Sequence, residues 1–591
     1  MTDTAEVKPV RNFNVNGRLV PETEIKGLEC IFATYSENKA LGSDVLVIKE
    51  NVHFNDGRVE PNIRIRKDMK WPYYITKEGF RNHEDKKEWE DISRLQRFTS
   101  TRSQLAKNIA KSLNYGMVLP LRSLGNSPYL YGTDISPTAL IKDLYRKTWP
   151  NVKTMSHTVA ALDTETDVVG GTGEVIIANI SFQNKSYTTV TTKFIEDTPD
   201  FIELCRKKAE ELMGDDLRKR NLEWEIEIVD TPGQACAKVI EKAHEWRPDF
   251  ISIWNMNYDI PVMKAALEKE GYDTALVFSD PSVPKDYRFF SYREGNAVKV
   301  TQSGAQLSLH PAERWHVCTC PASFYFLDSM CLYKRIRVAA GNESSYALDY
   351  ILKRNKLDSK LKIKELEHLE EDGDKWHFAM QKDFKAEYVV YNLRDDLALL
   401  DLDEKTGDIA RAFPALAGIS DYSNFNKNPR RIVDDLHFFV QERGKVIAAT
   451  PDDISKDPLN KHVLGMNDWI ITLPSFTIDS GSYMFEDAPE IKSMVYRYLA
   501  DLDISSTYPN AEDVLNISKE TTAYETCKFN GFTEAEQRYF SLTLTTGKSS
   551  ALELGIRYLN MPSPQQLLEQ YDKDHAIEST AKEVTTVEEV I

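Results

Sequence analysis

The sequence predicts an α/β multidomain protein, and three observations carry that prediction. At 591 residues the chain exceeds what one hydrophobic core organises, and it divides at typical domain sizes into roughly three or four domains. From residue 156 to 405, short apolar runs of strand character alternate with segments whose apolar residues recur at helical spacing. The first of those runs, Val159-Ala160-Ala161-Leu162, ends in Asp163 and Glu165, which a side-chain period of two places on one face.

Composition narrows the class. Hydrophobic content of 41% beside 28% charged residues is that of a soluble globular protein. No apolar run reaches membrane-spanning length, and the first residues lack the basic and apolar regions of a signal peptide, so a cytoplasmic location without membrane partners is expected. Seven cysteines (30, 205, 236, 318, 320, 331 and 527), odd in number and without a CxxC pair, argue against a disulfide framework. The cluster His316-Val317-Cys318-Thr319-Cys320 invites a zinc reading but lacks a second ligand pair at zinc-site spacing. A net charge of −18 argues against non-specific coating of nucleic acid while leaving room for a local basic channel. Candidate patches are Arg64, Arg66, Lys67 and Lys70, then Arg218-Lys219-Arg220, then Lys427 with Arg430 and Arg431; each alone also reads as a solvated face.

Along the chain, residues 1–155 mix short alternating apolar runs with turns such as Asn55-Asp56-Gly57 and a charged helical stretch near 84–105. This is a mixed α/β amino-terminal domain, which residues 406–480, helical and then irregular, are expected to complete. From about 480 a strand pair leads to Asp503. A last helix starts at Ser563, with Pro564 in its first position and Gln566 completing a capping box. Residues 572–591 form a polar, acidic tail expected to be disordered.

Three motifs in 156–405 carry chemistry. Asp163-Thr164-Glu165 ends a buried strand, so both carboxylates can grip one cation; alone, Asp-x-Glu recurs by chance. A helix starting at Thr231-Pro232 precedes the strand Phe250-Ile251-Ser252-Ile253-Trp254, which ends in Asn255, and Asp259 opens the next helix. A carboxylate there meets metal and phosphate well, or simply caps the helix. In a helix over 386–405, Tyr391 and Asp395 share a face four residues apart; an ordinary amphipathic helix with Tyr388 and Tyr391 in the core gives the same pattern.

In this order the three motifs resemble the exonuclease motifs of the DEDD superfamily, tyrosine subtype, on a ribonuclease H-like fold. The resemblance implies two divalent ions, Mg2+ or Mn2+, held by Asp163, Glu165, Asp259 and Asp395, and hydrolysis of nucleotides from a DNA 3′ end. It also implies that Tyr391 positions the attacking water. Asn255, Lys334, Arg430 and Arg431 are the candidate DNA contacts. Further on, Asp503-Ile504-Ser505-Ser506-Thr507-Tyr508-Pro509 resembles motif A of family B DNA polymerases, with Thr507 where the pattern has leucine. Asp503 would bind the catalytic metals, with Ser506 and Tyr508 beside the incoming nucleotide. Asn516 to Thr521, Arg247-Pro248 and Ser480 to Phe485 extend the likeness to T-even-type phage replicative polymerases.

No Lys-x-x-x-Asn-Ser-x-Tyr-Gly helix and no Asp-Thr-Asp strand follows Tyr508. Two other likenesses also fail. Tyr131-Gly132-Thr133-Asp134-Ile135-Ser136 lacks paired aspartates, and Gly547-Lys548-Ser549 lacks the earlier glycine of a phosphate loop. The expectation is therefore the amino-terminal subunit of a split replicative DNA-directed DNA polymerase. It comprises an amino-terminal domain (1–155 with 406–480), a proofreading 3′–5′ exonuclease domain (156–405), a partial palm without fingers or thumb (481–571) and the tail. Its partners would be primer-template and single-stranded DNA and a carboxy-terminal subunit bringing fingers, motif C, thumb and sliding-clamp binding. That subunit would complete a second two-ion site. Alternatives are a truncated or stand-alone exonuclease with a vestigial palm, and a non-enzymatic replication scaffold or DNA-binding module.

Overall fold

The computed structural model describes residues 12–152, 157–195, 198–300, 306–358, 361, 363–369, 373–412 and 418–452. They lie within one of two units into which the chain divides, Met1–Asn460. The expected palm with Asp503, Ser506 and Tyr508, the capping box at Ser563 and the acidic tail lie outside the described residues.

The described region is mixed α/β, with several sheets. Near its amino end, strands Ile25–Asn38, Ser43–Phe54 and Val59–Lys67 form an antiparallel meander. The Asn55-Asp56-Gly57 turn joins the last two, with Gly57 at φ +92°, a conformation that favours glycine. The stretch 84–105 is not one α-helix: its only helical turn before Leu105 is the 3-10 turn Ile92–Arg94. Trp89–Asp91 and Leu95–Ser100 are strands, and α-helix begins only at Leu105. Distant pairing decides this: Trp89–Asp91 pairs with Lys445–Ile447, and Leu95–Ser100 with Trp71–Thr76, overriding the local charge pattern. The same region also meets residues after 412 through the Tyr422 hydroxyl, which donates to the Ile31 carbonyl (2.7 Å), and the Lys142 ammonium, which donates to that of Ser420 (2.9 Å).

The sheet that positions the candidate site begins with β1 (Val159–Thr166), β2 (Val175–Phe182) and β3 (Lys185–Thr191). Helix α1 (Phe201–Arg220) leads to β4 (Glu223–Val229), and α2 (Pro232–Trp246) to β5 (Phe250–Ile253). Then follow α3 (Met256–Lys269), β6 (Tyr325–Asp328), α4 (Ser329–Ile336), α5 (Gly373–Asp383) and α6 (Lys385–Thr406). The strand order is β4-β3-β2-β1-β5-β6. β1, β2 and β3 are antiparallel neighbours, while β1–β5, β5–β6 and β3–β4 are parallel.

Helices cover both faces, which is why β2 is buried throughout and reads as a continuous apolar run. Ala160 and Leu162 pack with Val239, Ile240 and Ala243 of α2 and Ile260, Met263 and Leu267 of α3. Ala161, on the opposite face, packs with Val390, Leu393 and Leu397 of α6. The period of two therefore turns Asp163 and Glu165 toward α6, and Thr164 toward α3. Helix α2 starts as its sequence indicates: the Thr231 side chain accepts the Gln234 N–H (3.3 Å), and Pro232 occupies the first turn.

Candidate metal centre

Asp163, Glu165, Asn255, Asp259, Tyr391 and Asp395 line one cleft of about 600 Å3, together with His377, His310 and Tyr346. Three elements deliver the carboxylates: β1 gives Asp163 and Glu165, the first turn of α3 gives Asp259, and α6 gives Asp395. Asp163, Glu165 and Asp395 each offer an oxygen within 4.8 Å of the others. Asp259 stands apart from that trio, its Oδ1 accepting both the Thr164 N–H (3.1 Å) and the Thr164 hydroxyl (2.7 Å).

Three of the four carboxylates are held by neutral donors, Asp259 by Thr164 as above. The Asn392 amide donates to Asp163 Oδ2 (2.7 Å). The Tyr388 hydroxyl donates to Glu165 Oε2, and is itself backed by His377 Nδ1 (2.8 Å) and the Gln381 amide (3.3 Å). Gln381 also donates to the Thr166 carbonyl (2.7 Å), tying α5 to the end of β1. Tyr391 lies parallel to Tyr388, ring centroids 5.9 Å apart, and against Trp376 at 4.8 Å. These contacts fix the phenol at the cleft wall.

The electrostatics are those of a cation site. Burial pushes the Asp163 carboxyl well above the ordinary range, and the neighbouring Asp259, Glu165 and Asp395 add to it. Burial raises Asp259 to about 7 against the pull of the two Thr164 hydrogen bonds. Burial and then the Glu165 carboxylate push the Tyr388 phenol well above its usual value, so it stays a donor. Converging carboxylate oxygens form a hard-ligand set suited to Mg2+ or Mn2+, and a divalent ion would offset the burial and the neighbouring charges that raise Asp163.

The other expected contacts are elsewhere or engaged. The Lys334 ammonium is buried, donates to Asn342 Oδ1 (2.7 Å) and pairs with Glu313 (3.3 Å); it reaches the cleft only through the Tyr346 ring, 5.3 Å away. Arg430 and Arg431, on α7 (Asn428–Glu442), do not line the cleft. Arg430 donates to the Asp134 carbonyl (2.5 Å) and pairs with Asp434 (3.0 Å), and the Arg431 guanidinium lies 5.7 Å from the Phe425 ring. Arg64 is spent on Glu50 (2.6 Å), and Arg218 and Arg220 pair with acids on α1 and α6.

Sequence reading missed Thr164, His377, Gln381, Tyr388 and Asn392 as parts of the site. Two carried a signal: Asn392 follows Tyr391 directly, and Tyr388 precedes it by three residues on the same helix face. His377 and Gln381 carried none, because α5 meets β1 only in the folded chain.

No protein-family model matches the chain, and no curated protein sequence matches it.

Proposed function

We propose that the cleft is a two-metal 3′–5′ DNA exonuclease site on a ribonuclease H-like fold. The observation that carries this reading is the convergence of Asp163, Glu165, Asp259, Asp395 and Tyr391 on one cleft. The sheet supports it: β1, β2 and β3 run antiparallel, β5 and β6 follow parallel to β1 on its other side and β4 adds a strand beside β3, so β1 delivers Asp163 and Glu165 from inside the sheet.

Bound Mg2+ or Mn2+ would supply an activated water and stabilise the charge developing on the scissile phosphate. The four carboxylates would hold the ions. Asn392, Tyr388 and the Thr164 pair orient three of those carboxylates without bringing a competing charge. Tyr391 would orient the attacking water through its phenol. Asn255, at the carboxyl end of β5, lies where a nucleotide entering the cleft can be met.

The test is direct. The chain with Mg2+ shortens 5′-labelled single-stranded DNA from its 3′ end, and Asp163→Ala and Asp395→Ala abolish this; shortening that survives both changes removes the assignment.

The polymerase part of the reading rests on the sequence around Asp503. Two-metal nucleotidyl transfer needs a second carboxylate, and no Asp-Thr-Asp stands between Asp503 and residue 591, so that ligand would come from outside these residues. Mixing the chain with a protein carrying Asp-Thr-Asp restores primer extension, and Asp503→Ala removes it. Extension indifferent to Asp503→Ala would leave the nuclease as the whole function.

A further inference from the structure

A second group of metal-capable side chains converges outside the cleft lining. A ring nitrogen of His316, a carboxylate oxygen of Asp328 and the Cys331 sulfur lie within 4.8 Å of one another, and all three residues are buried. They come from three places: His316 precedes the short strand Val317–Thr319, Asp328 ends β6, and Cys331 lies in the first turn of α4.

The carboxylate is the informative member. Asp328 Oδ1 accepts the Cys331 N–H (2.9 Å) and so caps α4, whereas Oδ2, in a side chain with no exposure, has no hydrogen-bond partner. The Cys331 thiol and the Met256 N–H are the nearest donors to that carboxylate, and the thiol also has the Arg314 and Pro311 carbonyls as acceptors at 3.2 and 3.6 Å. A buried carboxylate oxygen left without a donor is costly, and a bound cation is one way such an oxygen is satisfied. Burial raises Asp328 to about 7, and burial followed by Asp328 raises the Cys331 thiol; a cation would reverse both directions.

We propose that His316, Asp328 and Cys331 bind one zinc-class cation, distinct from the oxygen-only site in the cleft. Imidazole, carboxylate and thiolate together form a zinc donor set, and sulfur disfavours Mg2+. Three protein donors leave a fourth position to water. The cation braces a wall of the cleft from behind. Asp328 pairs in register with Ile253 at the end of β5. On the other side, the Tyr292 hydroxyl lies 3.3 Å from His316 Nδ1 and donates to Asn257 Oδ1 (2.9 Å), two residues before Asp259.

The test uses the reduced, chelator-treated 591-residue chain, with excess Mg2+ to fill the cleft, titrated with Co2+. One cobalt per chain is expected, with strong sulfur-to-cobalt charge-transfer absorption that Zn2+ abolishes by displacement. Cys331→Ser removes that absorption, His316→Gln weakens binding by more than about 10-fold, and Asp163→Ala leaves the absorption intact. Circular dichroism checks that each variant is folded; where Cys331→Ser is not, His316→Gln decides. No charge-transfer absorption in the folded wild-type chain overturns the proposal and leaves a hydrogen-bonded thiol and carboxylate. Absorption that survives Cys331→Ser, or is lost only with Cys318→Ser, overturns it as well.

Discussion

Glu50 is a buried carboxylate and Asp163 a half-buried one in the cleft, and their surroundings are opposite. Glu50, on Ser43–Phe54, receives the Arg64 guanidinium at 2.6–3.0 Å, the Asn62 amide at 2.7 Å and the Tyr145 hydroxyl at 2.5 Å. Asp163 receives one neutral amide and faces four further carboxylates, Asp259, Glu165, Asp395 and Asp396. Folding tolerates the first because charge and hydrogen bonds are matched inside the protein. The second has no such match among the described residues, and a bound cation would supply one. Buried acids surrounded by acids therefore mark a site kept for a ligand at the expense of stability.

The largest effect that tests this contrast is on catalysis. Asp163→Ala should lower Mg2+-dependent DNA hydrolysis by about 10³-fold or more, read in single turnover. The metal-free protein should nevertheless melt no lower with Asp163→Asn, because the amide removes a like charge. A clear drop in the melting temperature of that variant would break the comparison. Glu50→Gln should do the reverse, costing about 3–5 kcal/mol by leaving Arg64 buried without its partner, as read by denaturant unfolding. Hydrolysis per folded molecule should be unchanged.

A pH profile sharpens the same point. Asp259 has a folded-state value of about 7 against an ordinary 3.8. Between these values the folded state binds more protons than the unfolded one, so stability is fully present below about 3.8 and is lost as pH rises through about 7. Asp163 shifts in the same direction. Metal-free melts should therefore fall from pH 4 to 7 and beyond, and saturating Mg2+ should flatten that slope. A slope indifferent to Mg2+ would mean the carboxylates do not hold the ion.

The cleft-lining carboxylates were legible in the sequence because each ends a strand or sits in a helix, where periodicity assigns a face. Asp163 and Glu165 follow an apolar run, and Asp395 sits four residues after Tyr391. What was not legible depends on contacts between distant residues. Gln381 meets Thr166 across 215 positions, and Tyr388 meets Glu165 across 223, separations that no local pattern spans. The strands at 89–100 were hidden for the same reason, since Trp89–Asp91 finds its partner at Lys445–Ile447. For Lys334 and Arg430, the sequence does not reveal that each cation already has a partner within the fold, Glu313 and Asp434 respectively.

The smaller predictions separate orientation from ligation within the cleft. Tyr391→Phe removes the water-orienting phenol while keeping the ring on Tyr388 and Trp376, so hydrolysis should fall by about 10²-fold with metal affinity unchanged. Tyr388→Phe should do less. It removes one donor to Glu165 and leaves His377 3.8 Å from the same oxygen, a loss of about 1 kcal/mol, or roughly 5- to 10-fold in rate. The two differ in a second readout. Glu165 freed of its donor should shift the Mg2+ concentration for half-maximal rate, whereas loss of the Tyr391 hydroxyl should not. Equal Mg2+ dependence in both variants would make Tyr388 a packing residue and leave Glu165 oriented by the backbone of β1 alone.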